Sequence, residues 1–228
     1  SAASDVYKRQ VLKEHWKVLS LEGLGLGDYE NGMIASGCVL QYLYETQKND
    51  LSQLTKLTPY TSGQFMMIDT STRRNLELVE TLREKQKRGS LLWVLDRTRT
   101  AMGARMLRSF IEQPLVRKAE IEKRQAAVEE LNMNFISREE IREYLNSVYD
   151  LERLLGRIGY KTANPRDLLA FKTSLSMLPH IKRLLNEFSC DLLKEIHEEL
   201  DPLEDLYDLV DRAIVEEPPI TVREGGII

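Results

Sequence analysis

The four residues Asn164-Pro165-Arg166-Asp167 constrain this chain more than any other stretch. An asparagine amide accepts a bond from the open backbone at a helix start, and proline fits the first helical position. A carboxylate three residues on meets the same free N–H groups and the positive end of the helix dipole. The apolar residues that follow, Leu168, Phe171, Leu175 and Leu178, step by three and four and so share one face. This predicts a helix with one buried side, which other elements must cover. Breakers are scarce, with 12 glycines and 7 prolines in 228 residues, so long helices rather than a many-stranded sandwich are expected to do the covering.

Similar signals recur along the chain. Met33, Gly37, Leu40 and Tyr44 mark one face of a helix over 31–48. Residues 64–69 are a short apolar run suited to a buried or edge strand, and a helix start follows over 70–78, with Thr or Ser as cap. Ser90 caps a short helix carrying Leu91, Leu92, Val94 and Leu95. Thr100 caps a longer one striped by Met102, Met106, Phe110 and Ile111, which Pro114 ends. Ile121, Val128 and Leu131 stripe 118–134, and Ser137-Arg138-Glu139-Glu140 reads as a capping box ahead of Ile141, Leu145 and Val148. Pro179 is expected to start a new helix with Ile181, Leu184, Leu185 and Phe188, and two more follow over 192–200 and 203–214. The fold class is therefore mainly α, a multi-helix bundle of nine or ten helices with one or two short strands. No fixed-period repeat points to a solenoid.

Both ends differ from the middle. The first ten residues have no apolar stripe, and Asp5 to Gln10 resembles a translated adapter sequence. They are set aside from fold reasoning as a scar, a floppy genuine terminus being the alternative. At the other end, Pro218-Pro219, a short β-type stretch and Gly225-Gly226 should lead into another element. Both ends read as cut.

Chemistry is sparse. No G-x-x-x-x-G-K-[ST] is present, and the Gly-rich run from Gly23 to Asp28 lacks the third glycine of a dinucleotide fingerprint. His15, His180 and His197 are scattered, and so are Cys38 and Cys190, which suits a reduced, intracellular setting without a metal or disulfide framework. No apolar run approaches the ~18 residues of a membrane span, and a net charge of −4 gives no global field drawing the chain to nucleic acid. Arg83, Lys85, Lys87, Arg88, Arg97, Arg99, Arg105 and Arg108 are locally basic but mixed with Glu80 and Glu84 and without an aromatic platform. They read as a solvated face first, with Lys85, Lys87, Arg88, Arg97 and Arg99 kept as weak DNA-contact candidates. Met66, Met67, Met102 and Met106 read as core filler.

Five segments share a stronger pattern, with charged and amide residues set between apolar ones. They are Ile68-Asp69-Thr70-Ser71-Thr72-Arg73-Arg74-Asn75-Leu76-Glu77-Leu78, Leu95-Asp96-Arg97-Thr98-Arg99-Thr100-Ala101-Met102-Gly103-Ala104-Arg105-Met106-Leu107, Asp150-Leu151-Glu152-Arg153-Leu154-Leu155-Gly156-Arg157, Asn164 to Leu168, and Pro218-Pro219 with Arg223-Glu224-Gly225-Gly226-Ile227-Ile228. In this order they resemble the bacterial MutS family of DNA mismatch-recognition ATPases, over nearly all of 11–228. The resemblance implies that 11–54 is the end of a connector domain with its linking helix. It implies that 55–228 is the first part of the helical core, without lever or clamp. The family's mismatch wedge, phosphate loop and dimerising ATPase domain have no counterpart in these residues, so no catalytic residue, cofactor site or metal site is carried over. ATP and Mg belong to the full-length parent. So do its partners, namely mismatched double-stranded DNA, a second MutS subunit and MutL, and its place in the cytoplasm near the nucleoid.

The matching residues have physical readings of their own. Asp150, Arg153 and Arg157 recur at steps of three and four, so the guanidinium groups of one helix face are placed to bridge helices. Arg73, Arg74 and Asn75 sit at a strand-to-helix junction suited to tying backbone ends. Asn164, Arg166 and Asp167 are accounted for by capping. The implied role is mechanical coupling of an ATPase to a DNA clamp, and apolar faces near 203–228 are expected to be exposed without the lever. The alternatives are a stand-alone helical interaction module, the core of a MutS paralogue acting in recombination, and a sequence-independent DNA-binding domain.

Overall fold

The computed structural model describes residues 2–21, 29–47, 51–55, 57, 62–219 and 226–227. The Gly-rich run at 23–28 and the segment 220–225 lie outside the described residues. The chain divides into two compact units, Ser1–Ser62 and Gly63–Ile228. Leu51 is buried in the first unit's core and Leu57 packs against it.

The first unit is a helix pair, α1 (Ala2–Trp16) and α2 (Glu30–Gln47). Residues 2–10, set aside above, form the first half of α1. Val11, Leu12, Leu21, Met33, Leu40 and Leu51 make the core. Of the expected face on α2, Met33, Gly37 and Leu40 are buried, and the exposed Tyr44 hydroxyl meets His15 Nδ1 at 2.6 Å. Gly37 is where the helices touch, for a Cβ there would lie 2.5 Å from the Lys8 carbonyl oxygen.

Among the described residues, the regular structure of the second unit is helical apart from one bridge. The run 64–69 is not a buried strand. It contributes one antiparallel bridge, Phe65 to Leu115, with Met66 N donating to Pro114 O and Val116 N to Gln64 O. Then follow α3 (Thr70–Asn75), α4 (Leu91–Leu95), α5 (Ala101–Glu112), α6 (Lys118–Met133), α7 (Phe135–Asn146), α8 (Leu151–Gly159), α9 (Pro165–Leu185), α10 (Asp191–Glu199) and α11 (Glu204–Ala213). Ser90 and Thr100 cap α4 and α5 through Trp93 N and Gly103 N. For α3 the cap is Asp69, whose carboxylate accepts from Thr72 N and Thr72 Oγ1.

The centre is α9, which packs against α7, α8, α10 and α11. Its N-terminal half buries Phe171 and Leu175 with Leu154 of α8, while Tyr207 and Val210 of α11 lie against them. Its C-terminal half buries Ile181 and Leu185 with Ala127, Val148, Phe188 and Leu193. Ser174 is fully buried between the two sets. Its hydroxyl donates to Ala170 O and accepts from Tyr149 N, pinning the α7–α8 junction to α9.

Pro179 and Ser137 stand in other places than their sequence context predicts. Pro179 does not start a helix but lies inside α9. Proline there removes one backbone bond and crowds the carbonyl four residues back. The helix continues because each half is anchored in its own core cluster. The supposed capping box at 137–140 is also absent, since α7 already begins at Phe135. The Ser137 hydroxyl instead donates to Glu187 Oε2 at 2.6 Å.

The methionines likewise depart from the core reading. Met102 packs on the second cluster, but Met66, Met67 and Met106 are exposed.

Candidate functional site

Several helix ends of the second unit are bonded by side chains of other helices. Asp150 is the N-cap of α8, accepting from Arg153 N. Its two oxygens also receive Arg105 from α5, Nη1 at 2.8 Å to Oδ2 and Nη2 at 2.7 Å to Oδ1. The same guanidinium reaches Glu152 Oε2 through Nε at 3.0 Å. One planar fork thus ties α5 to the first turn of α8 in a geometry an ammonium group cannot reproduce. The bonds from Arg105 hold the Asp150 carboxyl below its usual range, and those from Asp150 and then Glu152 raise Arg105.

The predicted residues fall around this tie. Arg153 is 78% exposed and its Nε lies 3.4 Å from Asp150 Oδ2, a local contact on its own helix. Arg157 crosses the connection instead, Nη1 donating to Asp167 Oδ1 at 2.6 Å. At the start of α9 the capping box closes in both directions, Asp167 N to Asn164 Oδ1 at 2.8 Å and Asn164 N to Asp167 Oδ2 at 3.0 Å. Pro165 occupies the first helical position and Arg166 is exposed. Asp167 therefore serves the cap with one oxygen and Arg157 with the other.

A second bracket joins α6 to α10. Glu130 accepts from Ser189 N at 2.6 Å, Ser189 Oγ at 2.7 Å and Cys190 N at 2.8 Å. A carboxylate from one helix thus covers the free N–H groups opening another. The Ser189 hydroxyl, then the Ser189 and Cys190 amides, lower its pKa to about 2. Neither Arg105 nor Glu130 stands out as a tie in the sequence. Arg105 lies in the basic run and in the segment Leu95–Leu107 without a sign of its partner, and Glu130 is one carboxylate among many on α6.

Within the basic run, two residues bond to Asp96. Lys87 pairs with Asp96, and Arg97 donates to the Asp96 carbonyl at 3.1 Å. Asp96 also accepts from Thr98 N and Oγ1. Lys87 first, then Thr98, bring its pKa down to about 2. Lys85 has a left-handed backbone, φ 48°, and Lys85, Arg88 and Arg99 are exposed. Arg73 Nε donates to Ile68 O at 3.1 Å, tying the backbone ahead of α3, while Arg74 and Asn75 are exposed. Among the described residues no group of His, Cys, Asp or Glu is arranged to hold a metal, and both cysteines are free. The arrangement joins helix ends through side-chain bonds.

A family model described as MutS domain III matches residues 71–228, nearly the whole of the second unit. The DNA mismatch repair protein MutS of Lachnoclostridium phytofermentans is 67% identical over 219 residues, 96% of this chain and 24% of that protein. That of Ruminiclostridium cellulolyticum is 50% identical over 205 residues, 90% of this chain and 24% of its own. That of Caldanaerobacter subterraneus is 46% identical over 227 residues, 100% of this chain and 25% of its own. The chain spans about a quarter of the length of these relatives.

Proposed function

This chain belongs to the MutS family, and from that membership we propose that it forms the helical core segment of a DNA mismatch repair protein, coupling an ATPase domain to a DNA clamp in the complete polypeptide. The observation that carries the proposal is that the matched residues coincide with a unit whose helix ends are fixed by side chains of other helices. A relay transmits a change between distant sites only if its packing moves between discrete arrangements rather than yielding. The Arg105 fork, the Glu130 bracket and the Asn164–Asp167 box supply that stiffness. In this reading the segment itself neither hydrolyses ATP nor reads mismatches. ATP and Mg are held by another part of the parent, and mismatched DNA, a second subunit and MutL are the parent's partners. A cytoplasmic protein working at the nucleoid fits the relatives' printed role, and no described helix is long and apolar enough to cross a membrane. That role also supports repair rather than recombination.

The test separates the coupled activities in the complete protein. With Arg105→Ala, basal ATP hydrolysis and nucleotide-free mismatch affinity are expected to stay within about twofold of the parent. The factor by which ATP weakens DNA binding, which measures the coupling free energy, is expected to shrink several-fold. An unchanged factor in a variant shown to have lost the α5–α8 tie would refute the relay. The 228-residue chain alone is expected to show neither ATP hydrolysis nor preference for mismatched duplex.

A further inference from the structure

Among the described residues, five that are not glycine have a left-handed backbone, namely Lys17, Glu77, Lys85, Lys161 and Leu203. Lys17, Glu77 and Lys161 stand just past the ends of α1, α3 and α8, where that conformation commonly closes a helix. Lys85 lies in the turn in which Thr81 N donates to Gln86 O. Leu203 differs from these four because it opens a helix, as the N-cap of α11 at φ 53° and ψ 47°. A residue in that place is ordinarily extended and caps the helix through its side chain. Leucine has no acceptor to offer, and α11 has no side-chain cap. A left-handed leucine persists only where its surroundings impose it.

Those surroundings are two anchors on either side of a short connection. Leu200 packs on the cluster of Ile181, Leu185 and Leu193, and its carbonyl accepts from Lys182 Nζ at 2.6 Å. Leu203, Tyr207 and Val210 lie on the other cluster, against Leu154, Phe171 and Leu175. Between the anchors, Asp201 Oδ1 accepts from Leu203 N at 2.9 Å. The second anchor is the lighter. No residue of α11 is buried, and Leu206 and Leu209 are exposed. Its ion pair to α9, Lys172 Nζ to Asp211 Oδ1 at 2.9 Å, leaves Asp211 51% exposed. An element with few buried apolar contacts belongs to the low-stability end of a fold, and strain at its joint favours release.

We infer that α11 is a latch, seated on α9 but built to leave it as one unit by rotation at Leu203, while Leu200 and the cluster behind it stay packed. Leaving lets the leucine relax and uncovers the Phe171 side of α9, so the strain stored in the joint lowers the cost of opening. The latch is a property of these 228 residues and stands whether or not the chain serves as a relay.

Native-state hydrogen exchange of the 228-residue chain, read amide by amide by NMR, tests this. The amides from Tyr207 to Ala213 should exchange together through one opening with its own urea dependence, roughly tenfold or more faster than those from Phe171 to Leu178. Exchange of α11 at the rate of α9 would mean that it opens only when the whole unit unfolds. Rates graded inward from one end of α11, without urea dependence, would mean fraying. Either result overturns the latch. Two variants then isolate the joint. Leu203→Ala and Leu203→Gly both lose the packing of the leucine, but only glycine accepts the left-handed backbone freely. Leu203→Gly should therefore show the slower α11 exchange, by several-fold, although at an ordinary position in a folded chain alanine is the more stabilising of the two. Equal rates, or slower exchange in Leu203→Ala, would overturn the strained joint.

Discussion

Leu175 is the side chain whose loss should damage this fold most. It is 1% exposed, on the inner face of α9, packed with Leu154 and Phe171. Leu175→Ala deletes three carbon groups, about 2.4 kcal/mol of transfer free energy at ~0.8 kcal/mol each. A residual cavity of roughly 50–80 Å³, at ~24 cal/mol per Å³, adds about 1–2 kcal/mol. The sum is about 3.5–4.5 kcal/mol, and at ~2–4 °C per kcal/mol for a domain of this size the midpoint should fall by about 7–18 °C. Leu155→Ala on α8 is the control, because Leu155 is 56% exposed and surface changes stay within about 0.5 kcal/mol. Leu175→Met, which nearly conserves volume, should cost less than about 1.5 kcal/mol. Thermal unfolding followed by far-UV circular dichroism measures all three. Equal shifts for Leu175→Ala and Leu155→Ala, or a fall below about 3 °C for the first, would mean that α9 is not packed as described.

Other outcomes follow from the helix ends. Asn164→Ala should cost about 1 kcal/mol and Asn164→Asp far less, since aspartate caps as well as asparagine; urea midpoints compare them. Because the Glu130 carboxyl titrates at about 2 in the folded chain, against a usual ~4.3 when unfolded, its contribution is complete above the unfolded value. That contribution is lost as pH falls through the folded one. Glu130→Gln should therefore flatten the acid side of the stability profile between about pH 4.5 and 2, measured by denaturant midpoints across that window. Arg105→Lys should behave like Arg105→Ala in thermal unfolding, because one ammonium cannot serve Asp150 and Glu152 together. Pro179→Ala should raise stability, by up to ~3 kcal/mol, by restoring a helical bond at an exposed position.

What could be read from the sequence was local. Ser90, Thr100 and Asn164 act within three residues of themselves, so their caps are visible in a window of four. Phe171 and Leu175 were legible because a single helix carries their spacing. Ser137 shows the limit, for it has the residues of a cap, yet its hydroxyl goes to Glu187, 50 positions away. Arg105 to Asp150 spans 45 positions and Glu130 to Cys190 spans 60. No spacing rule picks such pairs out of a chain in which 30% of residues are charged. The Met102–Phe110 stripe is amphipathic in sequence, but periodicity says only that a face wants cover, and not whether the cover lies within these residues. Leu209 on α11 is likewise 56% exposed, in line with the open surface expected near 203–228.

Pro179 interrupts α9 near where its packing passes from one apolar cluster to the other. In elastic terms the helix is a rod scored at one point. Away from the proline, bending must stretch several hydrogen bonds at once, whereas at the score one bond is already missing, so curvature localises there. A load applied to the N-terminal half, where α8 and α11 are seated, would turn that half against the other while each keeps its own packing. Compliance placed at one residue lets two stiff bodies rotate without either one melting.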